Sequence, residues 1–228
     1  MDDTQAKKVI RETSAAYNII AGLFSSTRDY VWNDVKPLLA TVVPNTTTLD
    51  IGCGNGRLYQ ELAKNQVNYI GIDNADKLID VAKEKYPAAR FIASDMTKIP
   101  LQEGVADMIF SIASFHHLPT DDLRVRALRE MKRLLKPEGR IVMLNWNLYS
   151  NWARSKGFSG DENGDFYIPW KDAKKQVLAT RYYHGFMLED LHDLAEQAGL
   201  MIERQYYSKD GKESSLGPGD NIVTVMRP

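Results

Sequence analysis

Short β-branched and apolar runs alternate with longer segments of helical spacing from Thr47 to Trp146. The runs span Thr47 to Ile51, Asn68 to Ile72, Arg90 to Ala93, Ala106 to Ile112 and Arg140 to Trp146. Between them, helical patterns cover Gly56 to Lys64, Ala75 to Lys85 and Asp122 to Leu135. That alternation predicts an α/β fold, a mostly parallel sheet wrapped by helices. Pro137-Glu138-Gly139 is expected to stop the last of these helices after Lys136 and open the next strand. Ahead of the first strand, residues up to about Leu39 predict two helices with a bend, the second near Tyr30 to Leu39. They are bounded by Ser25-Ser26-Thr27 and Pro44 and form an N-terminal helical cap over residues 1–44.

From Tyr149 to Thr180 the periodicity dissolves into Asn, Ser, Gly and Trp, which predicts a surface insertion over 149–186 that serves as part of a lid. Order returns with a helix from Leu188 to Ala198, a Gly199 cap and a strand from Met201 to Tyr207. A polar turn through Gly217-Pro218-Gly219 and a last strand, Ile222 to Met226, follow. Two terminal strands joined by a turn lack the crossover a parallel pair needs, so one antiparallel strand at the sheet edge is expected, for seven strands in all.

With 228 residues, 43% hydrophobic and 26% charged, the chain is expected to form one domain. A net charge of -1 gives no global attraction to polyanions, so any nucleic-acid contact must use a local patch. The single Cys53 allows no internal disulfide or cysteine metal cluster, and no metal site is expected. The polar start and the absence of an apolar run near ~20 residues predict a cytoplasmic, membrane-free protein.

Chemistry concentrates first in Thr48-Leu49-Asp50-Ile51-Gly52-Cys53-Gly54-Asn55-Gly56-Arg57-Leu58, where an apolar strand meets a helix through three glycines. Such a turn lets a ligand approach the backbone. Asp73, about 20 residues on, ends the next strand where a doubly wound sheet places an acid against ribose hydroxyls. The glycines run G-x-G-x-G, and Asp50 just before them would repel a pyrophosphate but suit an ammonium group. The segment resembles motif I of the class I S-adenosylmethionine-dependent methyltransferases. That resemblance implies a Rossmann-like fold and S-adenosylmethionine as cofactor, with S-adenosylhomocysteine as product. It implies cofactor contacts from Asp50, Gly52, Cys53, Gly54, Asn55, Gly56, Asp73 and Asn74. Asp95-Met96, at the end of the third strand, are expected to serve the adenine. Ser111, Ile112 and Ala113 are expected to wall the cofactor, with His116 facing the methyl group and His117 turned inward, because neighbours in an extended segment point opposite ways.

Further segments narrow the likeness: Tyr17 to Ala21, Phe24 to Arg28 with Trp32, Ser111 to His117, Arg124 to Leu128, Asn145-Trp146, Tyr167 to Trp170 and Arg181 to His184. In this order and spacing they resemble the Trm9/ALKBH8 family, which methylates the carboxymethyl group of a tRNA wobble uridine to a methyl ester. The resemblance implies Arg28, His116 and Arg181 at the reacting centre, with Trp32, Trp146, Trp170, Tyr183 and His184 on the substrate side. It also implies tRNA as substrate and a small zinc-binding activator paired along a sheet edge, for which Arg90 to Ala93 is the expected place. A guanidinium suits a carboxylate fork, and aromatic rings suit an unpaired base. Plainer roles stand beside these: Arg28 capping the first helix, Arg181 pairing with an acid such as Asp190, the tryptophans serving the core. Arg126, Arg129, Arg133 and Lys136 share a helical face that, with Lys171, Lys174 and Lys175, is expected to meet an RNA backbone or simply solvent. Two other functions remain open at this point, a small-molecule methyltransferase and a non-catalytic cofactor- or RNA-binding subunit.

Overall fold

The computed structural model describes residues 1–214 and 219–228. Strand β1 (Thr47–Ile51) lies at the centre, parallel to β2 (Asn68–Asp73) on one side and to β4 (Ala106–Ile112) on the other. Strand β3 (Arg90–Ala93) flanks β2, and β5 (Leu135–Trp146) flanks β4, both parallel. The terminal strands β8 (Met201–Lys209), β9 (Lys212–Ser214) and β10 (Asn221–Arg227) complete an eight-stranded sheet in the order β3-β2-β1-β4-β5-β10-β8-β9.

The antiparallel pairing falls on the expected side of the sheet, but the sheet has eight strands where seven are expected, and its antiparallel β10 is internal rather than at the edge. Strand β10 slots between β5 and β8, antiparallel to both, and the three-residue β9 forms the outer edge. The helix α7 (Leu188–Gln197) carries the chain over and leaves a one-strand gap, which the returning C-terminus fills. Of the expected polar turn, Gly217 and Pro218 lie outside the described residues.

Three boundaries differ from the sequence pattern. The cap is one 25-residue helix, α1 (Asp3–Thr27), followed by irregular chain and a four-residue α2 (Lys36–Leu39). Ser26 and Thr27 end α1 by turning their hydroxyls back onto the Leu23 carbonyl (3.1 and 2.8 Å), a local bond that competes with continuing the helix. The helix after the glycine turn shrinks to α3 (Tyr59–Leu62) with one 3₁₀ turn behind it, whereas α4 (Asp76–Lys85) and α5 (Asp121–Leu134) have nearly the expected lengths. Pro137 to Gly139 do not separate α5 from β5, because β5 starts at Leu135 and absorbs them as a register shift against β4.

The insertion is ordered. After α6 (Asn151–Ser155), β6 (Asp165–Lys171) and β7 (Val177–His184) form an antiparallel hairpin that pairs Ile168 with Arg181. Phe166 and Ile168 turn inward while Tyr167 stays out, a strand alternation too short to stand out from its polar surroundings. Helix α1 packs on β7 and α4, so cap and hairpin together roof the carboxyl ends of β1, β2 and β4. Below that roof, one face of the sheet packs on α5 and α7 through residues such as Ile109, Met131 and Leu194, and the other on α2 to α4 through Ile79, Phe110 and Val142.

Candidate active site

Gly52 (φ 79°) and Gly54 (φ 55°) make the turn after β1, in backbone conformations that L-residues rarely adopt. The Gly52 and Cys53 N–H groups donate to the Ile72 carbonyl (2.7 and 3.0 Å), tying the turn to the end of β2. Asp73 completes the tie by accepting from the Gly54 N–H and the Ala75 N–H, both at 2.8 Å, so its carboxylate joins the glycine turn to the start of α4. A β-carbon at Gly52 would overlap the Ser114 side chain, while the third glycine, Gly56, faces away from the cleft and would meet Phe91 at 2.8 Å. Gly56 is therefore a packing glycine rather than a cleft residue.

Asp50 is 1% exposed and accepts from the Tyr69 hydroxyl at 2.8 Å. Burial pushes its carboxyl up to about 7, against the Tyr69 bond and the Arg57 charge. Arg57 lies 4.4 Å over the Trp32 ring, and burial lowers it to about 10. The Cys53 thiol is buried and raised well above its ordinary range by desolvation, then by Asp50 and Asp73, so it is no nucleophile at neutral pH.

These groups line a cleft with about 1160 Å³ of empty space, its mouth included. Of the residues expected at the cofactor, the cleft gathers Asp50, Gly52, Cys53, Gly54, Asn55, Asp73, Asn74, Asp95, Met96, Ile112 and Ala113. Of those expected around the acceptor it gathers Arg28, Trp32, Trp146, Trp170, Arg181 and Tyr183. Gly56, Ser111, His116 and His184 are not on its wall. Ser111 lies beneath it against Ser114 (Oγ to Oγ 2.9 Å), and His184 faces Asp165 inside the hairpin at 3.1 Å.

The two histidines exchange the places expected of them. Phe115 to His117 form a 3₁₀ turn, so strand alternation does not apply: His117 reaches the cleft, while His116 is fully buried. His116 sits between Trp146 and Tyr183, ring centroids 5.8 and 4.9 Å away, with neither ring nitrogen hydrogen-bonded to a side chain. His117 Nδ1 lies 2.6 Å from the Tyr182 carbonyl, which can only accept, so Nδ1 carries the proton and donates. Burial, aided by the Arg181 charge, lowers His117 to about 3, so Nε2 is unprotonated and accepts a hydrogen bond from the Tyr17 hydroxyl at 2.9 Å. Tyr17, from the cap helix, and Arg57 are site residues that the sequence pattern did not single out, because a lone Tyr or Arg at helical spacing carries no ligand signal.

Arg181 is 5% exposed, with its guanidinium 5.1 Å from the Trp170 ring and 5.3 and 5.6 Å from those of Tyr183 and Tyr17. Its Nε has no partner, and no carboxylate pairs with it among the described residues; Asp190 instead accepts the Met187 N–H. Burial pulls its pKa down, but Tyr183 and Tyr17 outweigh that and hold it above the ordinary value, so it is cationic. Arg28 caps α1 with its backbone, yet its guanidinium also rests on Trp170 at 5.3 Å. Two guanidiniums thus rest on one indole, neither with a carboxylate partner among the described residues.

The arginine stripe of α5 is mostly committed within the protein. Arg133 forks onto Glu130 (2.8 and 2.7 Å), Arg129 donates to the Gln197 carbonyl (3.0 Å), and Lys136 pairs with Asp107 (2.7 Å), leaving Arg126 exposed. Three of the four basic residues therefore have partners within the protein, while the face stays exposed at Arg126 and Arg129.

A Rossmann-like sheet with a glycine turn after β1, Asp73 ending β2, Asp95 just past β3, and an inserted antiparallel β10 defines an S-adenosylmethionine-dependent methyltransferase. The wall fits that cofactor: two carboxyl groups, Asp50 and Asp73, would hold its ammonium and ribose, and the buried Asn55 Oδ1 has no partner among the described residues. A methyltransferase-domain family model matches residues 49–143. The tRNA (carboxymethyluridine(34)-5-O)-methyltransferase of Schizosaccharomyces pombe is 32% identical over 212 residues, 85% of this chain and 90% of that protein. The macaque protein of the same name, ALKBH8, is 34% identical over 199 residues, 86% of this chain but 28% of its own length. Among solved structures, a Haloferax volcanii complex between the Trm112 methyltransferase activator and a methyltransferase superimposes with a TM-score of 0.68 at 18% identity, covering 94% of this chain and 96% of that one. The chain belongs to the tRNA (carboxymethyluridine(34)-5-O)-methyltransferase family.

The Asp50 carboxyl gives the site a pH dependence with a defined sign. Only its ionised form attracts an ammonium, so S-adenosylmethionine affinity is expected to fall as pH drops below 7, approaching about tenfold per pH unit. Calorimetric titration from pH 5.5 to 8.5 checks this, with Asp50→Asn expected to bind weakly and without the slope. An equal, flat profile in both proteins removes Asp50 from the ammonium site.

Proposed function

We propose that the chain transfers the methyl group of S-adenosylmethionine to the carboxylate of a carboxymethyl group on a tRNA wobble uridine, forming a methyl ester. The observation that carries this reading is Arg181, a buried cation without a carboxylate partner among the described residues, beside Arg28 on the same indole. A buried charge is costly unless paired, and a carboxylate acceptor is the anion that completes it. Bound S-adenosylmethionine supplies an electrophilic sulfonium methyl.

A carboxylate is already ionised at neutral pH, so the chain has no proton to remove from the acceptor. His117 accords with this, since both its nitrogens are engaged and it stays neutral. What the residues contribute is placement: Arg28 and Arg181 fix the carboxylate, and Trp170 and Trp146 flank the base. Holding nucleophile and methyl in a near-attack arrangement is worth up to about 7–11 kcal/mol in well-oriented systems.

The edge strand β3 is the proposed seat of a small activator protein, which the Haloferax complex motivates by fold alone. No helix among the described residues is long and apolar enough to cross a membrane, in keeping with action on tRNA in the cytoplasm. A compact carboxylic acid is the second reading, favoured by the near-neutral net charge. Mass spectrometry of tRNA nucleosides, from cells with and without the protein, is expected to show the methyl ester lost and the free carboxymethyl uridine accumulating. Unchanged nucleosides, together with no transfer to carboxymethyluridine tRNA by protein that binds the cofactor, would reject the tRNA assignment.

A further inference from the structure

We infer that the insertion holds a second nucleotide subsite, formed by Trp152, Phe158, Lys156 and Lys171, that receives a single-stranded RNA nucleotide adjoining the methylated one. The inference rests on the tRNA reading of the acceptor. A groove with about 1370 Å³ of empty space opens beside the cleft and shares Arg28, Trp32, Trp146, Trp170 and Arg181 with it, so the two are continuous. Its wall continues the aromatic series outward from the reacting centre. Tyr183 stacks on Trp146 (5.2 Å, 10°), Trp152 meets Trp146 edge-on (5.4 Å, 79°), and Phe158 meets Trp152 edge-on (5.7 Å, 85°).

Phe158 packs in part against the small apolar cluster of the insertion, but core packing does not account for Trp152. The only buried residue of α6 is Ala153, while Trp152 and Phe158 stay half-buried with part of each ring in the groove. Lys156 and Lys171 stand exposed on the same rim, and neither pairs with a carboxylate among the described residues. Asp34, Asp210 and Asp220 line the groove as well, and Asp34 is held by the Ser208 hydroxyl and the Gly211 N–H. Lysines at the rim with carboxylates elsewhere on the wall orient a strand, phosphates toward Lys156 and Lys171 and a base face toward Trp152. Aromatic platforms beside mobile cations are the chemistry that holds unpaired nucleotides.

Fluorescence anisotropy with a labelled anticodon-loop RNA of about seven nucleotides tests this on the full chain. Trp152→Ala is expected to weaken binding roughly 5- to 150-fold, the worth of one stacked base, and Trp152→Phe to restore most of it. Because Lys156 and Lys171 are exposed, the double variant Lys156→Gln, Lys171→Gln folds normally. It is expected to lower the slope of log affinity against log salt by about 1.4, two single-strand phosphate contacts. Calorimetric S-adenosylmethionine binding confirms that each variant is folded. Affinities and salt slopes within twofold of the parent protein in both Trp152→Ala and the lysine variant overturn the subsite, as does a parent protein that binds no RNA. Methyl ester formation on RNA with such unmoved affinities rejects the subsite alone, whereas RNA binding that depends on Trp152, without methyl transfer, rejects the acceptor assignment and keeps the subsite.

Discussion

Arg181→Gln is expected to lower kcat/KM on carboxymethyluridine tRNA by about 10²- to 10³-fold, while S-adenosylmethionine affinity stays within twofold. Arg181 meets the acceptor and not the cofactor in the arrangement proposed above, resting on Trp170, Tyr17 and Tyr183. Losing one partner of a buried, hydrogen-bonded charge pair costs about 2–5 kcal/mol, because the remaining charge is left unpaired. Stability should change much less. The guanidinium has no carboxylate partner among the described residues, but Tyr183 and Tyr17 hold its pKa above the ordinary value, so its removal trades relieved desolvation against the lost ring contacts, each worth about 0.5–2 kcal/mol. A small change in melting temperature, with activity lost, is the signature of a functional arginine. Arg181→Lys should recover only part of the rate, since an ammonium lacks the fork that matches a carboxylate. A large drop in melting temperature with full activity in the folded fraction would make Arg181 a structural residue.

Gly52→Ala carries the second large effect, on the cofactor half of the site. At φ 79° a β-carbon costs about 1–2 kcal/mol in backbone strain. It would also overlap Ser114, and overpacking of this kind costs about 1–3 kcal/mol more. The sum predicts a melting temperature lower by about 10 °C, taking roughly 2–4 °C per kcal/mol for a chain of this size. Cofactor binding should be lost with it, because Gly52 and Cys53 are hydrogen-bonded to Ile72 and cannot shift without moving Gly54 and Asp73. Ser114→Gly separates the two costs. In that background Gly52→Ala should be milder by the overlap share alone, and an equal cost in both backgrounds would exclude the clash. Thermal melts and cofactor titrations of the four proteins complete the cycle.

How legible the molecule was from its residues depended on the range of the interaction. Strand positions from β1 to β5 are set by local runs of apolar residues, and the structure follows them within a residue or two, except where β5 starts early and takes in Pro137 to Gly139. The hairpin of β6 and β7 was hidden because its inward residues, Phe166 and Ile168, pack within a small local cluster rather than the main core. The histidine pair was misread for a related reason. Alternation holds for a strand, but Phe115 to His117 leave β4 as a 3₁₀ turn, and which imidazole faces the cleft then depends on Tyr17 and Tyr182, distant in sequence. The α5 stripe shows the same limit, since the partners of Arg129 and Lys136 lie on other elements.

By itself, then, the sequence determined the alternating α/β order, the glycine turn with Asp50 and Asp73 at strand ends, and the segments that carry the family likeness. Each of these is encoded by neighbours along the chain, through backbone freedom at glycine and hydrophobic periodicity. Only the tertiary structure decided that β10 enters between β5 and β8, that His117 and not His116 meets the cleft, and that Gly56 serves packing. It also decided that Arg28 from the cap and Arg181 from the hairpin share one indole without a carboxylate between them. Such a grouping exists only when chain segments more than a hundred residues apart are brought together, and its burial is a property of the assembled roof.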